Sequence, residues 1–252
     1  MSLIFAKCFW IDDNREITKK DLINEKIECD IFINEKKLSD KNKHKKKNRI
    51  TYLIKKNYID LSNMFEGCST LTSIDLSNFN IDKVQDISYM FYNCESLTKI
   101  NLSNFNTKNV TNMSGLFNNC KSLTSINLSL FDTSKVTNMI GMFSNCKLLS
   151  SIKLSKFNTI NVTNMTGMFH NCRSLITLDL SNFNTDKVTN MNGMFYNCFS
   201  LNSLDLSNFK CDNIKYNSSI EKMFIGCKNL NINNIKYKDS KIKNQIIIDL
   251  IV

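Results

Sequence analysis

The sequence predicts an α/β repeat solenoid, a coil with one parallel sheet and short helical segments. Two observations carry this expectation. Cysteines fall at 68, 94, 120, 146, 172 and 198, a constant interval of 26 residues, and a seventh follows at 227. Val136–Cys146, Val162–Cys172 and Val188–Cys198 are near copies, reading "VTNMIGMFSNC", "VTNMTGMFHNC" and "VTNMNGMFYNC". One well-placed catalytic motif does its chemistry alone, whereas a unit that buries its core against its neighbours is needed once per coil.

The elements follow in order. Residues 1–57 are expected to be an N-terminal capping region of strands and a basic loop, residues 58–227 the solenoid of six full repeats and a partial one, and residues 228–252 a degenerate repeat or a cap. Within the first region, "CDIFINEKKL" (Cys29–Leu38) reads as a strand in a hairpin. "RITYLI" (Arg49–Ile54) reads as the strand of a coil whose second half is Tyr58, Leu61, Met64 and Phe65. Counting each repeat from its Cys as position 1, the first half of the unit carries Leu123, Ile126, Leu128 and Phe131, whose alternating Ile-x-Leu centre is the period of a half-buried strand. The second half carries Val136, Met139, Met142, Phe143 and Cys146 at steps of three and four, the spacing of a short helix with Thr137 or Asn138 at its cap. Thirteen of the seventeen phenylalanines fall at positions 12 and 24, so they should form two columns along the coil. The closing "QIIIDLIV" (Gln245–Val252) reads as a final strand or a truncated repeat.

The pattern L-x-x-I-x-L-x-x-F resembles the leucine-rich repeat. Cys120, Leu123, Ile126, Leu128, Val136, Met139, Met142, Phe143 and Cys146 together resemble the unit of the BspA-like leucine-rich repeat surface-protein family. The resemblance spans residues 61–227 and recurs in each of the six repeats. It implies a leucine-rich-repeat-like, right-handed coil with a parallel sheet, used for adhesion or other protein contacts.

Composition narrows the function classes. There is no proline, and Ala6 is the sole alanine, a depletion of GC-rich codons that points to an AT-rich genome and discounts the abundance of Lys and Asn. The net charge of +10 divides as +5 over residues 1–60, +2 over 61–227 and +3 over 228–252, leaving the repeats nearly neutral. The N-terminal excess sits largely in "KNKHKKKNR", residues 41–49, read as a solvated loop and, alternatively, as a nucleic-acid-binding segment. "MSLIFAKCFWI" is too short and lacks the leading charge of a secretory signal, and no apolar run reaches membrane-spanning length, so a cytoplasmic protein is expected.

The inventory of chemistry is thin. The cysteine column closes an apolar face and is read as buried and reduced, with a disulfide ladder or metal binding as the alternatives. Only His44 and His170 are present, and no glycine-rich phosphate loop occurs. No catalytic, cofactor or metal residue is therefore assigned, and a non-enzymatic protein is expected. What remains is the outward face of the strands at positions 6, 8 and 10. Position 8 is the column that varies in charge, so Asp75, Asn101, Asn127, Lys153, Asp179 and Asp205 are the candidate partner-binding surface. The expectation is a protein-protein interaction scaffold. A secreted or cell-surface adhesin of the BspA-like type and a nucleic-acid binder acting through residues 41–49 are the alternatives.

Overall fold

The computed structural model describes the backbone of residues 4–11, 29–33, 36–37 and 48–54, and the whole of residues 59–77, 79–154 and 156–251. Four strands precede the repeats: β1 (Ile4–Ile11), β2 (Cys29–Ile33), β3 (Lys36–Lys37) and β4 (Asn48–Ile54). Next come the short strands β5 (Leu71–Asp75) and β6 (Lys99–Asn101), and the sheet order is β3-β2-β4-β1-β5-β6. β2 and β3 pair antiparallel as a hairpin. Arg49–Ile54 is a strand but not a coil of the stack. It lies in β4, antiparallel to both β1 and β2, while the neighbour of β5 is β1, with Lys7 opposite Asp75 and Ile11 opposite Leu71. The antiparallel β1 covers the unpaired edge of the first coil, which one more parallel coil would only have passed on.

Repeat strands are three residues long beyond β5. β7 (Ser125–Asn127) pairs with β8 (Ser151–Lys153), and β9 (Leu204–Leu206) with β10 (Ile235–Tyr237), all parallel, as are β5 and β6. The single sheet expected along the whole array is thus a series of short parallel pairs. β5, β6 and β7 each end at position 8, where Asp75, Asn101 and Asn127 accept from the amide two residues on, at 2.9 to 3.1 Å. Elsewhere in the coil a second parallel ladder runs through position 19, bridging Asp60, Asp86, Asn112, Asn138, Asn164 and Asn190 in succession.

The second half of the repeat is not helical. Met139, Gly141, Phe143 and Asn145 donate their amides to Asn164, Thr166, Met168 and His170 of the next coil, at 2.7 to 3.0 Å. The amides between them close local turns, Met142 to the Met139 carbonyl, Ser144 to Gly141 and Cys146 to Phe143. Two residues per coil stand at positive φ: Gly141 (55°) and Asn145 (59°) here, and their equivalents in the other coils. That conformation at the third residue of a turn is the type II signature, satisfied by Gly or Asn and incompatible with helix propagation. The apolar steps of three and four therefore mark a ribbon of consecutive turns, cross-linked to the next coil at every other residue. Asn138 does cap a turn, accepting from the Ile140 amide at 3.0 Å.

Packing is columnar. Leu at positions 4 and 9, Val or Ile at 17, Met, Leu or Ile at 20 and 23, and Phe at 12 and 24 are buried in coil after coil. Rings at position 24 stack from Phe65 through Phe91, Phe117, Phe143, Phe169 and Phe195 to Phe224, with centroids 5.5 to 6.0 Å apart. Each such burial is worth about 1.5 to 3 kcal/mol. The repeat cysteines are free and buried, and Cys94, Cys120, Cys146, Cys172, Cys198 and Cys227 each donate to the carbonyl of a phenylalanine in the preceding coil. A further column is polar: Thr107, Thr133, Thr159 and Thr185 at position 14 are buried, and each hydroxyl donates to a carbonyl of the next coil at 2.7 to 2.9 Å.

The C-terminal segment is a helix, α1 (Ser240–Leu250), where "QIIIDLIV" suggested a strand. Asp239 caps it, accepting from Lys241 and Ile242, and Ile242, Gln245 and Ile246 fall on its buried face. Its polar side chains take the place of another coil. The Asp239 carboxylate accepts from the Cys211 amide and Asp249 from the Phe224 amide, both at 2.9 Å, while the Lys241 ammonium donates to the carbonyls of Cys211 and Ile214.

Candidate interaction surface

The six position-8 residues form one line on the surface. Asp75 faces Asn101 across β5 and β6, Asn127 faces Lys153 across β7 and β8, and Asp205 faces Lys236 across β9 and β10. Asn127, Lys153, Asp179 and Asp205 are exposed, and Asp75 and Asn101 half-buried. Their chemistry is partly spent inward. Asp75, Asn101, Asn127, Asp179 and Asp205 each accept from the amide of the Ser two residues on, at 2.9 to 3.1 Å. These hydrogen bonds from Ser181 and Ser207 hold the carboxyls of Asp179 and Asp205 below their ordinary range. Lys153 is the member of the column with no part in such a turn.

Position 2 forms a second edge that the sequence reading passed over: Ser69, Glu95, Lys121, Lys147, Arg173, Phe199 and Lys228. Lys121 is paired with Glu95 at 2.6 Å. The Arg173 guanidinium and the Lys228 ammonium each lie 5.2 Å from the centroid of the Phe199 ring, within cation-π range. Beside them Leu148 and Ile176 are exposed, at 52% and 47%. His170 is half-buried and stacked on Tyr196 at 4.8 Å, and its burial lowers its pKa. The signal available in the sequence was Arg173, the sole arginine of the repeats, one coil before Phe199, a phenylalanine outside both core columns.

Among the described residues no group of His, Cys, Asp and Glu could hold a metal ion, and no helix is long and apolar enough to cross a membrane. A cleft of about 700 Å³ lies at the C-terminal end, lined by Asn184, Asp186, Asn208, Lys210, Asp212 and Lys238 among others, with Asp186 and Lys210 paired across it at 2.9 Å. Residues 41–47 of the basic run lie outside the described residues.

No curated protein and no solved structure matches the chain. A family model does, twice in tandem, over residues 59–153 and 147–246, each match spanning several coils of the array. A solenoid whose repeats account for both matches thus carries the relationship, and the chain belongs to the family described as "Mycoplasma protein of unknown function, DUF285".

Proposed function

We propose that the chain is a non-enzymatic protein-interaction scaffold on a leucine-rich-repeat-like, right-handed solenoid. The observation that supports this reading is the division of labour within each coil. Core columns repeat Leu, Val, Met, Phe and Cys with little change, while positions 2, 3, 5 and 8 vary and lie at the surface. Such an array presents side chains at a fixed interval on a rigid frame, which suits recognition of another macromolecule. The state of the side chains supports the non-enzymatic part of this reading. The repeat thiols are buried, His170 is stacked, and the carboxylates of the strand face are engaged in turns. The strand face carrying Asp75, Asn101, Asn127, Lys153, Asp179 and Asp205 is proposed as part of the contact surface, with Lys153 the charged member whose side chain takes no part in a turn.

The experiment is cross-linking of the tagged full chain in cells of its source, followed by mass spectrometry. A partner protein recovered in stoichiometric amount, with cross-links on the solenoid surface and reduced recovery by Lys153→Glu, is expected. Recovery of nothing above the untagged control would overturn the scaffold reading. The cytoplasmic assignment is separate, and its alternative is a BspA-like adhesin at the cell surface. Six thiols used as hydrogen donors support a reducing compartment. Protease shaving of intact cells separates the two: loss of the chain would place it outside.

A further inference from the structure

We infer that the position-2 edge of the last three full coils and the partial one after them docks an acidic, apolar polypeptide segment, an inference that rests on the scaffold reading and names its partner class. The edge changes character along the array. In the first coils positions 2, 3 and 5 hold Ser69, Thr70 and Thr72, then Glu95, Ser96 and Thr98, then Lys121, Ser122 and Thr124. These are small or self-neutralised groups, as the 2.6 Å Lys121–Glu95 pair shows. In the following coils the same positions hold Lys147 and Leu148, Arg173 and Ile176, Phe199, and Lys228. The scaffold does not require this change, because the core columns beneath are the same in both halves.

Three features describe the occupant. Lys147, Arg173 and Lys228 have no carboxylate partner among the described residues, so the edge carries uncompensated positive charge over neighbouring coils. Leu148 and Ile176, both about half exposed, place aliphatic surface beside that charge. Arg173 and Lys228 come from the coils on either side of Phe199 and both lie over its ring, which holds the two cations in place before any partner arrives. Arg173 is further oriented by its Nε, which donates to Asn171 at 3.1 Å. Preorganised arginine beside an aromatic ring and aliphatic contacts is the composition of an interface centre. Carboxylates complement the cations, and a Leu- or Ile-bearing segment complements Leu148 and Ile176.

A single-stranded nucleic acid would meet the charge but not the rest. Base stacking needs an open aromatic face, and here cations cover the Phe199 ring while the neighbouring exposed groups are aliphatic.

The test uses the full chain against a randomised short-peptide display library, with an oligo-thymidine strand as the second probe. Enriched peptides should combine Asp or Glu with Leu, Ile or Phe and bind more weakly as salt rises. They should lose at least about tenfold in affinity to the Arg173→Glu, Lys228→Glu double variant. Leu148→Ser with Ile176→Ser should weaken the same peptides while leaving the salt dependence in place. Unchanged melting temperatures of both variants exclude misfolding as the cause. Neutral or basic consensus peptides, equal binding by the charge-reversed variant, or no enrichment would overturn the inference. Tighter binding of oligo-thymidine than of any peptide would overturn it in favour of a nucleic-acid surface. Because the scaffold reading is tested by cross-linking in cells, stoichiometric partners mapping to the strand face alone would leave that reading standing while this one fell.

Discussion

The Cys146 thiol donates to the Phe117 carbonyl, 3.1 Å away in the preceding coil, and the Cys120 amide donates to the same oxygen. Losing the thiol therefore leaves no carbonyl without a donor. Cys146→Ala should cost only the small cavity it opens, about 1 to 2 kcal/mol, read from denaturant midpoints. A thiol reagent should spare Cys94, Cys120, Cys146 and Cys172 in the folded chain and label them once it is denatured. Fast labelling of the native state would mean that the column is not buried.

The thiols also set a response to alkali. Burial pushes Cys146, Cys211 and Cys227 up to about 12 and raises Cys120, Cys172 and Cys198 as well. An unfolded thiol ionises near 9.0, so between roughly pH 9 and 12 the unfolded chain has released protons that the folded chain retains. Their contribution is complete below pH 9 and is lost as pH rises, by about 1.4 kcal/mol per pH unit for each thiol. Midpoints measured at about pH 8 and about pH 10 should show a steep drop, shallower when three of these cysteines are Ala; parallel slopes for the two proteins would refute a thiol origin.

Gly115 and Gly141 occupy the same position at φ 59° and 55°, but a side chain at Gly115 would sit 2.3 Å from the Tyr89 ring, whereas Gly141 has ordinary space. Gly141→Ala should cost about 1 to 2 kcal/mol for the backbone alone. Gly115→Ala should cost more, and Tyr89→Ser should recover part of the excess in a double-mutant cycle. Additive effects would show that the ring moves aside freely.

Phe143→Ala should cost about 3 to 5 kcal/mol, being fully buried between Phe117 and Phe169. Asp179→Ala should cost about 0.5 kcal/mol, through the lost turn bond to Ser181, and Asp179→Asn should be near neutral because its carboxamide keeps that bond. Thermal or denaturant unfolding of the three variants orders them; a reversed order would invert the assignment of inside and outside.

Thr159 holds both backbone groups of Asn184, donating to its carbonyl and accepting from its amide, each at 2.7 Å. Thr159→Val keeps the shape and strips both bonds, so about 1 to 3 kcal/mol should be lost. Thr159→Ser should restore much of it. Hydrogen exchange at the Asn184 amide is the local readout, and unchanged protection in the Val variant would contradict the bridging role.

These residues also show what the sequence could convey. Columns such as Phe65 to Phe224 are legible because a fixed period places equal positions above one another. The turn ribbon was hidden because Met139, Met142, Phe143 and Cys146 have the apolar spacing of a helix. The informative signal was Gly141 and Asn145, two residues that tolerate positive φ. Thr159 was missed because it is polar, although Thr recurs at that position in four consecutive coils. The place of β4 depends on pairing between distant strands, and periodicity says nothing about it. In α1 the Ile246–Ile248 run suggested a strand, while the Asp239 cap and the face of Ile242, Gln245 and Ile246 decide for a helix. On the surface, the strand face was found from its variability, but the use of its carboxylates in turns needed coordinates.

α1 meets the last coil with side chains that stand in for the backbone carbonyls and amides one coil offers the next, carboxylates accepting from its amides and an ammonium donating to its carbonyls. The joint is therefore indifferent to how many coils lie before it. Inserting or deleting one 26-residue unit by unequal recombination leaves both ends intact and changes only the reach of the molecule, so length is a heritable variable that selection can adjust without redesigning the fold.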